Sequence, residues 1–296
     1  MEATARLIPD MPEDDYHADP WGSPSLSSSI ARVLLRCPRA AHHEHPLLGG
    51  VQRSSTPRSA AMRLGTAVHA CVLLGREIAI VDGQSKEATA ERRARRAEGL
   101  PVLCSSEAEL ASGAIASALA LLGEALPGPR IPEGVILWHD STETGTTVRC
   151  RARLDACAPE RGAILDLKTT SDASPRGFAR SAVAYGYALQ AAAHEAALTA
   201  LAPDWAGRIT YRILAVETRP PHVAAVYEFD GSFRELGRRQ WRRALSTWAE
   251  CLETGHWPGY PGGVLECPEW AMRDDMAAQL DGWVERQEAA VEAAGL

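Results

Sequence analysis

Asp155, Asp166 and Lys168 are the residues whose types and spacing carry chemistry most directly. They lie in VRCRARLDAC (148–157) and ILDLK (164–168), two stretches that alternate as strands do, and APERG (158–162) reads as the turn between them. In a strand, successive side chains point to opposite faces. Arg149, Arg151, Arg153 and Asp155 therefore share one face of the first strand, and Asp166 and Lys168 share one face of the second. A tight hairpin through Pro159 and Gly162 brings Asp155 near Asp166. Two carboxylates beside an amine form a hard oxygen site for Mg²⁺ or Mn²⁺. Such an ion supplies positive charge to a phosphate and makes a water more acidic, and Lys168 orients that water and offsets charge in the transition state. The chemistry implied is phosphodiester hydrolysis.

The elements that must position these residues are read from periodicity. One of Ser27, Ser28 or Ser29 caps a short helix through Leu35, which Pro38 ends. Residues 47–57 read as loop, Ala60 to Leu74 as a helix stopped at Gly75, 86–99 as a charged stretch and Glu107 to Leu122 as a helix. Strands are expected near 134–139, 147–157 and 162–168. One long alanine-rich helix is expected from Phe178 to Leu201. Strands follow over 208–217 and 222–229, then a helix opened by a Ser232/Glu235 capping box and closed at Gly255, and a last helix after Met276.

The expected fold class is α/β, a small mixed central sheet flanked by helices. The expected domain is single, 1–296, with an arm and entry helix (1–57), a catalytic core (58–255) and a tail (256–296).

A formal charge of -7 argues against indiscriminate coating of nucleic acid, although arginines group at 92–96, 149–153 and 238–243. Trp138, Trp241, Trp248 and Trp257 read as packing residues. The seven cysteines are scattered and never form CxxC, and Cys37, His42, His43 and His45 match no closed zinc site. With no run of about 18 apolar residues and an acidic N-terminus, a cytoplasmic protein with no membrane association is expected.

Asp155 followed by Asp166-Leu167-Lys168 resembles the signature of the PD-(D/E)XK nuclease superfamily. Gly65-Thr66-Ala67-Val68-His69 resembles the GxxxH helix of its exonuclease branch, and Gln190 the glutamine of the QxxxY motif, with His194 in the tyrosine's place one turn on. More narrowly, the order CPRAAHHEH, GTAVHACVLL, ERRARRAEG, EGVILWHD, RCRARLDA, LDLKTT, YALQAAAH and CPEWA resembles phage recombination exonucleases of the RecE type over residues 16–272. The resemblance implies the restriction-endonuclease-like core and digestion of linear double-stranded DNA from its ends, 5′ to 3′. It also implies an annealing protein as partner and a ring-shaped homo-oligomer.

By the same resemblance Asp155, Asp166, Glu133 and His69 are metal ligands, and Lys168 and Gln190 complete the catalytic set. A hydrogen-bonded core histidine is the rival reading of His69. Arg149, Arg151, Arg153 and His194 are expected to contact DNA, with salt bridges the rival reading of the arginines. Two alternatives stand beside this: an inactive DNA-binding or assembly module, and a repair or CRISPR-adaptation relative carrying an iron–sulfur cluster. Cys251 and Cys267 lack the close cysteine partners such a cluster needs, so none is expected.

Overall fold

Residues 131–170 build the centre of the sheet, because their apolar residues come in unbroken buried runs such as Val135 to Trp138, the pattern of strands covered on both faces. A computed structural model of the chain describes residues 5–49 and 59–294. In order, the elements are β1 (Ala5–Ile8), α1 (Glu13–His17), α2 (Ser28–Arg36), α3 (Pro38–Glu44), α4 (Ala60–Leu74), β2 (Ala79–Ile80), α5 (Lys86–Ala97), β3 (Val102–Leu103) and α6 (Ser105–Ala125). There follow β4 (Ile131–Ser141), β5 (Thr147–Ala158), β6 (Ala163–Thr170), α7 (Pro175–Tyr185), α8 (Tyr187–Leu201), β7 (Thr210–Glu217), β8 (Ala224–Glu228), α9 (Gly231–Thr254) and α10 (Glu269–Ala294).

Six strands form the central sheet in the order β1-β4-β5-β6-β7-β8, antiparallel except for β6 against β7. The β6–β7 pair is parallel because α7 and α8 cross between the two strands. One face of the sheet (Trp138, Leu154, Ile164, Ile213) packs with Leu34 of α2, Leu198 of α8 and Trp248 of α9. The other (Leu165, Leu167, Leu214, Val216) packs with Val68 and Val72 of α4 and Leu122 of α6. The expected mixed sheet flanked by helices is what the chain forms.

Several local expectations need correction. The helix expected over 178–201 is two, broken at Gly186, whose φ of 72° ends α7 and starts α8 in a new direction. The cap of α9 is Asp230, whose carboxylate accepts from Phe233 N at 2.9 Å and from Ser232 Oγ at 2.7 Å, so no Ser232/Glu235 box forms. Pro38 opens α3 after α2 has ended at Arg36, the ring occupying a position whose N–H needs no partner. Residues 50–57 of the expected loop lie outside the described residues.

Among the described residues one helix, Ser105–Ala125, is long and apolar enough to cross a membrane by length and composition. Its Ala111, Ala114, Ala118 and Leu122 face the sheet and α4. By its contacts the chain divides into two compact units, Met1–Gly259 and Tyr260–Leu296, the second containing α10.

Candidate metal and phosphodiester site

β5 is irregular at one place, and that place is Asp155. Its pairing with β4 runs to Ala156 opposite Pro132 and resumes at Leu154 opposite Gly134, so Glu133 and Asp155 face each other at the interruption. Glu133 has φ of 51°, a left-handed conformation that a β-sheet residue with a side chain rarely holds. The alternation of β5 shifts here too: Leu154 packs in the first core cluster and Ala156 in the second. On the other side β6 pairs with β5 only from Ala156 (opposite Leu165) to Ala158 (opposite Ala163), whereas the upstream edge of β5 is taken by Leu26, which exchanges backbone hydrogen bonds with Arg149 and Arg151. The sheet is thus open beside Arg153 and Asp155. Asp155 Oδ2 enters the opening and accepts from Leu167 N at 2.7 Å, replacing a strand partner.

Glu133, Asp155 and Asp166 form a row across three strands, and helices supply the rest. His69 comes from α4, with Nδ1 3.7 Å from Asp155 Oδ2. One ligand atom from each of His69, Glu133 and Asp155 lies within 4.8 Å of the others. Asp166 is not in that trio: it is 1% exposed, its Oδ2 lies 2.6 Å from Lys168 Nζ, and its Oδ1 accepts from Gln190 Nε2 at 3.1 Å.

The electrostatics suit a divalent cation. Burial, and then the negative charge of Asp155, push the Glu133 carboxyl above the ordinary carboxylate range, despite Arg153, whose Nε lies 2.5 Å from Glu133 Oε2. Burial likewise raises Asp166, with Asp155 adding to it. Burial works against the Lys168 charge, but the Asp166 and Asp155 carboxylates outweigh it and hold the ammonium protonated. Two carboxylates and an imidazole converging, with one guanidinium paired to Glu133, are a donor set suited to a divalent ion.

Two expected DNA contacts are corrected. Arg151 is 4% exposed and its Nη1 is spent on Asp19 Oδ2 (2.8 Å) and on the Ser25 carbonyl (2.6 Å), so it clamps the N-terminal segment to β5 instead of meeting a ligand. His194 is 2% exposed, with Nδ1 3.5 Å from Tyr211 Oη, in the core beneath the site. Arg149 is exposed and lies over Trp21, and Arg153 holds Glu133.

Sequence reasoning missed Tyr187, whose ring lies 5.0 Å from Lys168 Nζ. Its signal was available: Tyr187 precedes Gln190 by three residues and so shares its helix face.

Burial, reinforced by the Lys168 charge, lowers the His194 pKa to about 4, so its imidazole is neutral near pH 7. Because this lies below the unfolded value of about 6.5, the unfolded chain takes up the proton first as pH falls. The associated stability is complete above pH 6.5 and is lost progressively down to pH 4, a total of about 3 kcal/mol. In urea titrations across that window His194→Gln should lose less stability than wild type. An identical decline would contradict this reading.

A helix-flanked sheet with a row of carboxylates and a lysine at an opening between strands defines the class: a PD-(D/E)XK-type fold. Residues 131–269 match the model of a family described as a PDDEXK-like domain of unknown function (DUF3799). A proposed exonuclease from Eubacterium rectale has a similar crystal structure, with a TM-score of 0.58, 13% identity, and coverage of 88% of this chain and 96% of that one. At that identity the likeness speaks for the fold. A second solved structure, SSO0001, aligns at a TM-score of 0.38 and 12% identity over 83% of this chain and 86% of that one, too distant to carry an argument. No curated protein matches the sequence.

Proposed function

We propose that the protein is a divalent-metal-dependent exodeoxyribonuclease that degrades linear double-stranded DNA from its ends, 5′ to 3′, to prepare single-stranded tails for recombination. The observation that carries the reading is the convergence of His69, Glu133 and Asp155 beside the Lys168–Asp166 pair. His69, Glu133 and Asp155 would hold Mg²⁺ or Mn²⁺, with Asp166 the neighbouring acid of the same row; an imidazole among carboxylates favours Mn²⁺.

Lys168 does the positioning. Asp166 and the Tyr187 ring fix its ammonium, and Gln190 fixes Asp166, so the ammonium is preorganised to orient a water and to meet charge developing on the phosphate. Water attacks phosphorus, the P–O bond to the leaving nucleotide breaks, and the leaving oxygen takes a proton.

The wider reading includes a homo-oligomeric ring around the DNA, an annealing protein that takes the tail, and action in the cytoplasm. Linear duplex labelled at each 5′ end in turn, beside a closed circle, tests the activity in Mg²⁺, Mn²⁺ or EDTA. Metal-dependent loss of the linear form alone, with the 5′ label released early, is expected. Equal attack on the circle would overturn end dependence, early release of 3′ nucleotides the polarity, and no cleavage in any metal the enzyme itself.

A further inference from the structure

On the far side of the α7–α8 joint from Lys168 is a solvent-open cavity of about 230 Å³, and its walls are cationic: Arg32 and Arg36 from α2, Arg243 and Gln240 from α9, with Gly186 and Leu189 as its floor. Arg36 and Arg243 are exposed, and among the described residues neither is paired with a carboxylate. The acids of the adjoining helices are engaged elsewhere, Glu195 with Arg234 and Glu235 with Arg238 and Arg239. Among the described residues the three guanidiniums have no carboxylate partner, so their positive potential is open to an anion from solution.

The cavity is tied to the catalytic lysine through one helical turn. Gly186 and Leu189 face the cavity, whereas Tyr187 and Gln190 face Lys168 and Asp166. Arg32 Nη1 donates to the Tyr185 carbonyl at 3.3 Å, and a Cβ on Gly186 would lie 3.2 Å from Arg32 Cδ, so this left-handed glycine lets the arginine lie across the joint. Tyr185, 58% exposed, stacks on Tyr187 with centroids 5.9 Å apart and an interplanar angle of 28°. From Lys168 outward the surface therefore runs amine, half-buried aromatic ring, exposed aromatic ring, arginine cavity. Two steps separate the amine from the exposed ring, 5.0 Å from Lys168 Nζ to the Tyr187 centroid and 5.9 Å from there to the Tyr185 centroid.

We propose that the cavity lined by Arg32, Arg36 and Arg243 binds an internal backbone phosphate of a single DNA strand that runs past the Lys168 site with a base stacked on Tyr185. This rests on the nuclease reading for the identity of the ligand. Guanidiniums suit phosphate oxygens, and an exposed ring beside them suits an unpaired base and has no use for a duplex.

The test is fluorescence anisotropy of a twelve-nucleotide oligothymidylate on the full chain in EDTA, across a salt series, with 5′-hydroxyl and 5′-phosphate versions. Arg36→Ala/Arg243→Ala should weaken binding of both versions about tenfold or more and lower the salt slope by about 0.7, the share of one single-strand phosphate. Arg36→Lys/Arg243→Lys should keep most of the slope. Tyr185→Ala should cost about tenfold on the thymidylate and little on an abasic strand. If the double alanine variant fails to fold by circular dichroism, Arg243→Gln alone carries the test from its exposed position.

Unchanged affinity and slope, a loss confined to the 5′-phosphate strand, or wild type that binds no single strand would each overturn the proposal. Failure of the nuclease reading is separable. Thymidine 5′-(p-nitrophenyl phosphate), too short to span to the cavity, should be hydrolysed equally by wild type and the double variant. If wild type hydrolyses neither ester nor DNA, the enzyme reading falls while the EDTA binding result still decides the cavity.

Discussion

Asp155→Asn is expected to reduce metal-dependent cleavage by about 10³-fold or more while leaving the fold intact. The substitution is nearly isosteric, and its carbonyl oxygen can still accept from Leu167 N, the bond that Asp155 Oδ2 makes at 2.7 Å across the opening between β5 and β6. What it removes is the charge that faces Glu133 and His69. The burial and repulsion that now raise the Glu133 carboxyl would lose their second cause, and the site would lose the anion around which a divalent ion is held. Single-turnover cleavage at saturating enzyme separates this from weaker DNA binding. Retained cleavage in a variant with wild-type thermal stability would remove Asp155 from the site.

Arg151→Ala should have its large effect on stability. Asp19, in a left-handed backbone conformation with φ of 70°, is buried on Arg151, Ser25 and His45, with His45 Nε2 3.2 Å from its Oδ2. Burial alone would raise its pKa, but the hydrogen bonds from His45 and Ser25 and the Arg151 charge outweigh that and hold it below the usual carboxylate value. Deleting the guanidinium leaves a carboxylate buried without its cation, a loss of about 3–5 kcal/mol. Arg149→Ala, which removes only an exposed guanidinium from over Trp21, should cost at most about 1 kcal/mol. Urea unfolding of the two variants measures the contrast, and equal midpoints would mean that Arg151 does not clamp the N-terminal segment.

The juxtaposition of Asp155, Asp166 and Lys168 was legible in the sequence because it depends on two adjacent strands and a short turn, and the sheet class followed from the same run of residues. The rest was hidden for physical reasons. That Glu133 opposes Asp155 depends on the register of β4 and on a left-handed φ, and composition announces neither. Arg151 shares a face with Asp155 in any strand reading, but its partner Asp19 is 132 residues away in sequence, so nothing local marks it as buried. The α7–α8 joint was obscured by alanine, which keeps a helical pattern running through Gly186; the glycine was the one warning of a turn that carries Tyr187 to Lys168. His194 was expected at the DNA because it stands in the tyrosine's place of QxxxY, whereas α8 is packed by the sheet on one side and α9 on the other.

The central claim is that His69, Glu133 and Asp155 hold a divalent ion beside Lys168. Titration of the purified protein with Mn²⁺, with free ion followed by its electron paramagnetic resonance signal, tests it most directly. Wild type is predicted to bind Mn²⁺ saturably, and Asp155→Asn and Glu133→Gln to lose that binding while remaining folded. Wild type that binds no Mn²⁺, or variants that bind it with unchanged affinity and stoichiometry, would contradict the account.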